Sequence, residues 1–169
     1  MTVIRRLALV AFLAGSPAIA AEHHYAPEED LEAIDVRTIG AARSTIDVAA
    51  YVLSDPAVIE ALIAAAGRGV VERIVLNDDE MGVSRTVAPL QRRLFGLRNV
   101  TILINTDDRP LMHLKAYVVD GRVLRTGSAN FSYGGLRRQE NELSIDREPA
   151  AAAAFATIFD RIWSRLGER

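Results

Sequence analysis

The chain of 169 residues contains no cysteine. Disulfides, thiolate-held zinc and cysteine nucleophiles are excluded, and export to an oxidising compartment would leave nothing to oxidise into a bridge. Basic charge is not in excess either: 20 Lys and Arg stand against 22 Asp and Glu, a formal net charge of −2. Such a balance gives no global electrostatic footprint for nucleic acid, so any anion site has to be local. There is no low-complexity segment, no internal repeat and no linker. The main apolar run, inside the first twenty residues, is too short for a comfortable membrane span.

That run has a recognisable layout. Arg5 and Arg6 precede LALVAFLAG, and Ala18-Ile19-Ala20 offers small residues at cleavage spacing. Basic start, short apolar centre and small-residue end are the three parts of a secretory signal. Cleavage after Ala20 is expected, with an uncleaved N-terminal anchor as the alternative. Cleavage leaves residues 21–169 as one domain with 18 basic against 22 acidic residues, a charge of −4. The periplasm or the bacterial exterior is the expected location, without stable membrane association. Half the residues are hydrophobic and a quarter charged, the composition of a globular domain large enough to bury a core.

Helices and strands alternate along the rest. APEEDLEAIDVRTIGAAR reads as a helix, with Glu28, Glu29 and Asp30 in a first turn that favours carboxylates. TIDVAAYVL is apolar on both faces after Asp47, which suits a buried central strand. Asp55-Pro56 caps a second helix in which Ile59, Leu62, Ile63 and Ala66 recur, ending at Gly67 or Gly69. ERIVLN, NVTILIN and NELSI read as strands, Pro89 to Phe95 as a short helix, and PAAAAAFATIFDRIWSRL as a final helix with Phe155, Phe159, Ile162 and Leu166 inward. Asp120-Gly121 between AYVV and RVLRT is a hairpin turn. The expected fold is α/β: a mixed central sheet flanked by helices on both faces.

One stretch, HLKAYVVDGRVLRTGSANFS, carries chemistry. On a strand, His113 and Lys115 point the same way. An imidazole beside an ammonium is a poor core and a good phosphate site: lysine supplies charge, and histidine attacks or transfers a proton near neutral pH. Gly127-Ser128-Ala129-Asn130 brings a hydroxyl and an amide on a backbone that glycine lets approach closely. Glu140 or Glu142 can hold the far nitrogen of His113 and fix its tautomer. Other features have plainer readings. Asp120 is a turn residue and Phe131 a core residue. His23 and His24 belong to a flexible terminus. Asn77-Asp78-Asp79-Glu80 is a solvated loop without calcium-loop spacing. Arg92-Arg93 and Arg137-Arg138 are surface pairs, the second the better placed to touch a nucleic-acid backbone.

His113-x-Lys115 followed by four residues and Asp120, then Gly127-Ser128-x-Asn130-Phe131-Ser132, resembles the signature of the phospholipase D superfamily. Tyr51 closing its strand and Gly67-Arg68-Gly69-Val70 after the second helix resemble the family's N-terminal half. The likeness runs from about Tyr25 to Ile145, with one copy of the motif. It most resembles the small secreted bacterial nucleases of the family, in which two chains pair so that two motifs share one active site. The resemblance implies a homodimer and a phosphohistidine intermediate, with no metal or other cofactor. It implies His113 as nucleophile in one copy and leaving-group acid in the other, and Lys115, Asn130 and Ser128 as phosphate-binding residues. Glu140, in a Glu-Asn step like the family's, becomes the histidine-orienting carboxylate, with Glu142 as competitor. The expected activity is that of a non-specific endonuclease on DNA or RNA. A phospholipase D-type lipid phosphodiesterase and a catalytically silent nucleic-acid-binding protein are the alternatives.

Overall fold

A computed structural model describes residues 20–77, 88–106 and 110–168. Apart from Ala20, the segment read as a leader lies outside these residues, as do Asp78, Asp79 and Glu80 of the solvated loop. The elements in order are β1 (Glu22–Ala26), α1 (Leu31–Gly40), β2 (Thr45–Ala50), α2 (Pro56–Gly67), β3 (Val71–Asn77), α3 (Ala88–Phe95), β4 (Val100–Asn105), β5 (Lys115–Val119), β6 (Val123–Gly127), α4 (Tyr133–Arg137), β7 (Asn141–Asp146) and α5 (Pro149–Gly167).

The strands form one mixed sheet in the order β1-β7-β6-β5-β2-β3-β4. β2, β3 and β4 run parallel, as helical crossovers require; the other pairs are antiparallel. β2 lies near the middle, and its alternation explains its apolar sequence. Ile46, Val48 and Ala50 join the core under the helices α1 and α2, while Ala49 packs on the opposite side with Phe155, Phe159 and Ile162 of α5. The expected mixed sheet with helices on both faces is what forms. Arg73 ties the second layer down. It bonds Asp47 at 2.7 Å and Asp160 of α5 at 2.9 Å, and lies over the Phe159 ring at 5.0 Å.

α2 begins as its sequence indicates: Asp55 accepts from the amides of Ala57 and Val58, and Pro56 opens the helix. The first helix is shorter than expected. Ala26 still belongs to β1, and Asp30 is the N-cap, accepting from Ala33 N. Glu29 is no first-turn residue; it bonds His24 Nδ1 at 2.8 Å and Tyr25 N at 3.0 Å. This also corrects the reading of His23 and His24 as a flexible terminus. They sit in β1, which pairs antiparallel with β7 and covers what would otherwise be an open sheet edge. A five-residue helix, α4, was not foreseen. Ser132 caps it through Gly135 N, and two glycines inside it hide the pattern.

Candidate active site

The motif's Asp120 and its His–Lys pair occupy opposite ends of β5, ~16 Å apart at strand rise. Asp120 and Gly121 both take positive φ, +52° and +63°, as the tight hairpin turn requires. The Asp120 carboxylate also accepts from the amides of Arg43, Ser44 and Thr45 and from the Ser44 hydroxyl. These bonds outweigh partial burial and hold its pKa below the ordinary carboxylate value. Asp120 fastens the start of β2 to the hairpin, as its reading as a turn residue anticipated.

At the other end, His113 and Leu114 precede the strand, which starts at Lys115. Simple alternation therefore does not place His113, yet the two side chains still meet. Lys115 Nζ lies 3.3 Å from His113 Nε2 and donates to the His113 carbonyl at 2.9 Å. Tyr51 completes the group: its ring is 4.4 Å from the imidazole and 4.6 Å beneath the ammonium. Lys115 is 8% exposed and His113 is exposed, so the imidazole offers itself to solvent while the ammonium stays sheltered behind it. A desolvated cation against an aromatic face acts more strongly on an arriving anion than one in water.

The segment carrying His113 is pinned from beneath. Asn77 and Asn105 are partners across β3 and β4. Asn105 Nδ2 donates to Asn77 Oδ1 and to the Pro110 carbonyl, both at 3.1 Å, and Asn77 Oδ1 also faces Met112 N at 3.4 Å. Two buried asparagines at equivalent strand ends thus set the approach to the histidine.

A second buried network joins Lys115 to the Gly127–Asn130 turn. Arg125 and Asp35 are fully buried and form a bidentate pair, Nε and Nη2 donating to the two carboxylate oxygens at 3.0 and 3.1 Å. The remaining nitrogen of Arg125 donates to the carbonyls of Lys115 at 2.8 Å and Ala129 at 3.2 Å, and the guanidinium stacks on Phe131 at 4.3 Å. Tyr117 adds its hydroxyl to Asp35 at 2.9 Å. Burial pushes the Asp35 pKa up and the Arg125 charge opposes it; burial and the Asp35 charge push Tyr117 up. One guanidinium therefore holds together the backbone before Asn130 and the backbone of Lys115. Sequence reasoning missed this. The available signal was Asp35 on the apolar face of α1, one turn after Leu31 and beside Ile34, where a carboxylate needs a cation.

Asn130 Oδ1 is buried and receives no hydrogen bond among the described residues. Gly127 holds φ +144° with an imaginary Cβ 2.3 Å from the Glu142 carbonyl, and Gly135 would place one 2.6 Å from the Asn130 carbonyl. Only glycine fits either side of this turn. Ser128 donates to Asn141 Oδ1 at 3.0 Å and accepts from Glu142 N at 2.9 Å, stitching the turn to β7. The Glu142 carboxylate is engaged by the Ser144 hydroxyl and by His23 Nδ1. Glu140 is exposed, in a cleft with Ser128, Asn141 and Tyr25. Within one chain neither glutamate is hydrogen-bonded to His113. Arg137, the basic residue expected near the site, is committed to Glu32 at 2.9 Å and Asp30 at 3.4 Å.

A family model described as "Cardiolipin synthase, PLD-like domain" matches residues 36–163. Mitochondrial cardiolipin hydrolase of Homo sapiens is 30% identical over 132 residues, 78% of this chain and 50% of that protein. Phospholipase D of Rickettsia prowazekii is 30% identical over 128 residues, 75% of this chain and 60% of that protein. The chain thus spans about half the length of the first of these relatives. Among solved structures, the phospholipase D family member Nuc from Salmonella typhimurium superposes with a TM-score of 0.75 at 25% identity, covering 86% of this chain and 94% of that one. NucT from Helicobacter pylori shares the fold, with a TM-score of 0.76 at 16% identity. With its mixed seven-stranded sheet and a single His-x-Lys pair behind Tyr51, the chain belongs to the phospholipase D superfamily.

Proposed function

We propose that the protein is a metal-independent phosphodiesterase that cleaves DNA or RNA without strong sequence preference, as a homodimer and through a phosphohistidine. The observation that carries this reading is the exposed His113 imidazole with Lys115 Nζ 3.3 Å from its Nε2. A neutral ring nitrogen attacks phosphorus, the new N–P bond forms and the bond to the leaving oxygen breaks. That oxygen takes a proton from the His113 of the second copy. Water then attacks phosphorus, gives its proton to that second histidine, and the N–P bond breaks, which restores both rings. Lys115 and Asn130 hold the phosphoryl oxygens as charge builds on them, the preorganised electrostatic contribution. Asn130 would bind through its Nδ2–H group, since its amide oxygen accepts and cannot bond a phosphoryl oxygen. Ser128 exchanges Asn141 for a phosphoryl oxygen.

One ring cannot be nucleophile and leaving-group acid at once, so the single motif calls for two copies with the His113 residues close to a two-fold axis. Glu140 orients a histidine once that assembly or the substrate is in place, since Glu142 is already engaged by Ser144 and His23. Nuc supports the nuclease reading by extent, since this chain spans nearly all of it. Residues 1–20 serve as the export signal, and residues 21–169 act as one domain in the periplasm or outside the cell.

A lipid phosphodiesterase is the second reading, favoured by the relatives that are named as cardiolipin hydrolase and phospholipase D. Among the described residues, no helix is long and apolar enough to cross a membrane. The test incubates wild type and His113→Ala with supercoiled DNA, single-stranded DNA, RNA and cardiolipin-containing vesicles in excess EDTA. Cleavage of nucleic acid by wild type alone is expected. Lipid turnover without nucleic-acid turnover would replace this reading with the second, and inactivity on every substrate would defeat both.

A further inference from the structure

We propose that Arg161 and Arg165 of α5 form a subsite for the phosphate next to the scissile one in a polynucleotide, a reading that rests on the nuclease assignment. The two arginines stand four residues apart, so they share one face of the helix. That face lines a cleft of about 470 Å³ that also contains His113. No acidic side chain among the described residues lines it. In a chain with net charge −2, such a cleft is a local concentration of positive charge.

The helix carries acid close by, but it is already used: Asp160 is bonded to Arg73 at 2.9 Å. Arg161 is exposed and makes no hydrogen bond or ion pair among the described residues. Arg165 is half-buried, and its Nη2 donates to Asn105 Oδ1 at 3.3 Å. The same Asn105 bonds the Pro110 carbonyl, on the segment leading to His113. One asparagine therefore contacts both the Arg165 guanidinium and the segment that leads to His113. Met112 and Ile162 give the cleft an apolar floor, and Leu111, 59% exposed, gives it a lip. Guanidiniums over an apolar surface suit a nucleotide, which presents a phosphate and a flat base together.

The test compares a dinucleotide, whose one diester leaves no flanking phosphate, with a single-stranded DNA a dozen nucleotides long. The readout is kcat/KM for the oligonucleotide divided by that for the dinucleotide, with the salt dependence of oligonucleotide binding. Arg161→Ala is expected to lower the ratio about tenfold, mainly through the oligonucleotide KM. It should also lower the magnitude of the salt slope by about one unit. Arg165→Lys should retain more of the ratio than Arg165→Ala, which separates charge from damage to the Asn105 contact. If wild type cleaves the oligonucleotide and Arg161→Ala leaves ratio and slope unmoved, the subsite is overturned while the nuclease assignment stands. If wild type neither binds nor cleaves the oligonucleotide, the nuclease assignment fails and the subsite with it. If Arg161→Ala impairs only turnover of cardiolipin-containing vesicles, the cleft serves a lipid headgroup and the polynucleotide subsite is overturned.

Discussion

Replacing Arg125 with methionine removes a side chain of similar volume that joins three parts of the site. Asp35 would keep its carboxylate in a fully buried position with only Tyr117 beside it, and the carbonyls of Lys115 and Ala129 would each lose a donor. Breaking a buried pair from one side costs about 3–5 kcal/mol, because the stranded charge has no water to return to. For a chain of this size that lowers the melting temperature by roughly 6–20 °C. The double variant Asp35→Leu/Arg125→Met removes both charges and should recover part of the loss. Recovery is incomplete because each stranded carbonyl still costs about 1–3 kcal/mol. Function separates from stability here. With the double variant folded, Lys115 and Asn130 lose their common anchor, and kcat should fall on the order of tenfold or more, since small misplacements of positioning groups are expensive. Urea unfolding followed by circular dichroism measures the first effect, and hydrolysis of bis(p-nitrophenyl) phosphate the second. An Arg125→Met protein within about 1 kcal/mol of wild type, with unchanged kcat, would refute the assignment of this pair as the joint between the two phosphate-binding segments.

Two further predictions follow from groups outside the chemistry. Asp120→Asn should cost about 1–2 kcal/mol of stability by weakening charge-assisted bonds to three amides and a hydroxyl. It should leave kcat/KM within about twofold of wild type, because the turn lies ~16 Å from Lys115; a collapse of kcat in a well-folded variant would return Asp120 to the catalytic set. Burial pushes the pKa of Glu72 up from 4.5 to about 8, with the Ala66 backbone and the Arg68 charge opposing only in part. Between those two values the folded chain keeps a proton that the unfolded chain releases. Stability should therefore fall as pH rises through the window, by up to about 1.4 kcal/mol per unit. Glu72→Gln should flatten that slope; urea midpoints at pH 5 and 7 that move alike in both proteins would contradict it.

The parts of the fold legible in sequence are those where one local rule decides. Asp55-Pro56 starts a helix by capping chemistry, Asp120-Gly121 makes a turn by its backbone preferences, and β2 reads as central because both of its faces are apolar. β1 was not legible, because Glu22-His23-His24-Tyr25 has no apolar alternation and its strand exists only through pairing with β7. The site divides the same way. His113, Lys115 and the Gly-Ser-x-Asn run stand out as residue types that a core does not want. Arg125, in contrast, sits in a strand-like run whose partner is 90 residues away in α1, and the Asn77–Asn105 pair depends on a strand register no local pattern reveals. Arg137-Arg138 reads as better placed than Arg92-Arg93 because it lies between Asn130 and Glu140 in sequence. The fold instead gives Arg137 to Glu32 and brings α5 to His113.

The central claim is that His113 forms a covalent bond to phosphorus. The direct measurement is an alkaline quench of wild type turning over a short oligonucleotide in EDTA, followed by intact-mass and peptide mass spectrometry. The account predicts a nucleotidyl adduct on the peptide containing His113, present during turnover, absent after exhaustion of substrate and absent in His113→Ala. Rapid turnover with no adduct at any quench time, or an adduct on another residue, would contradict it.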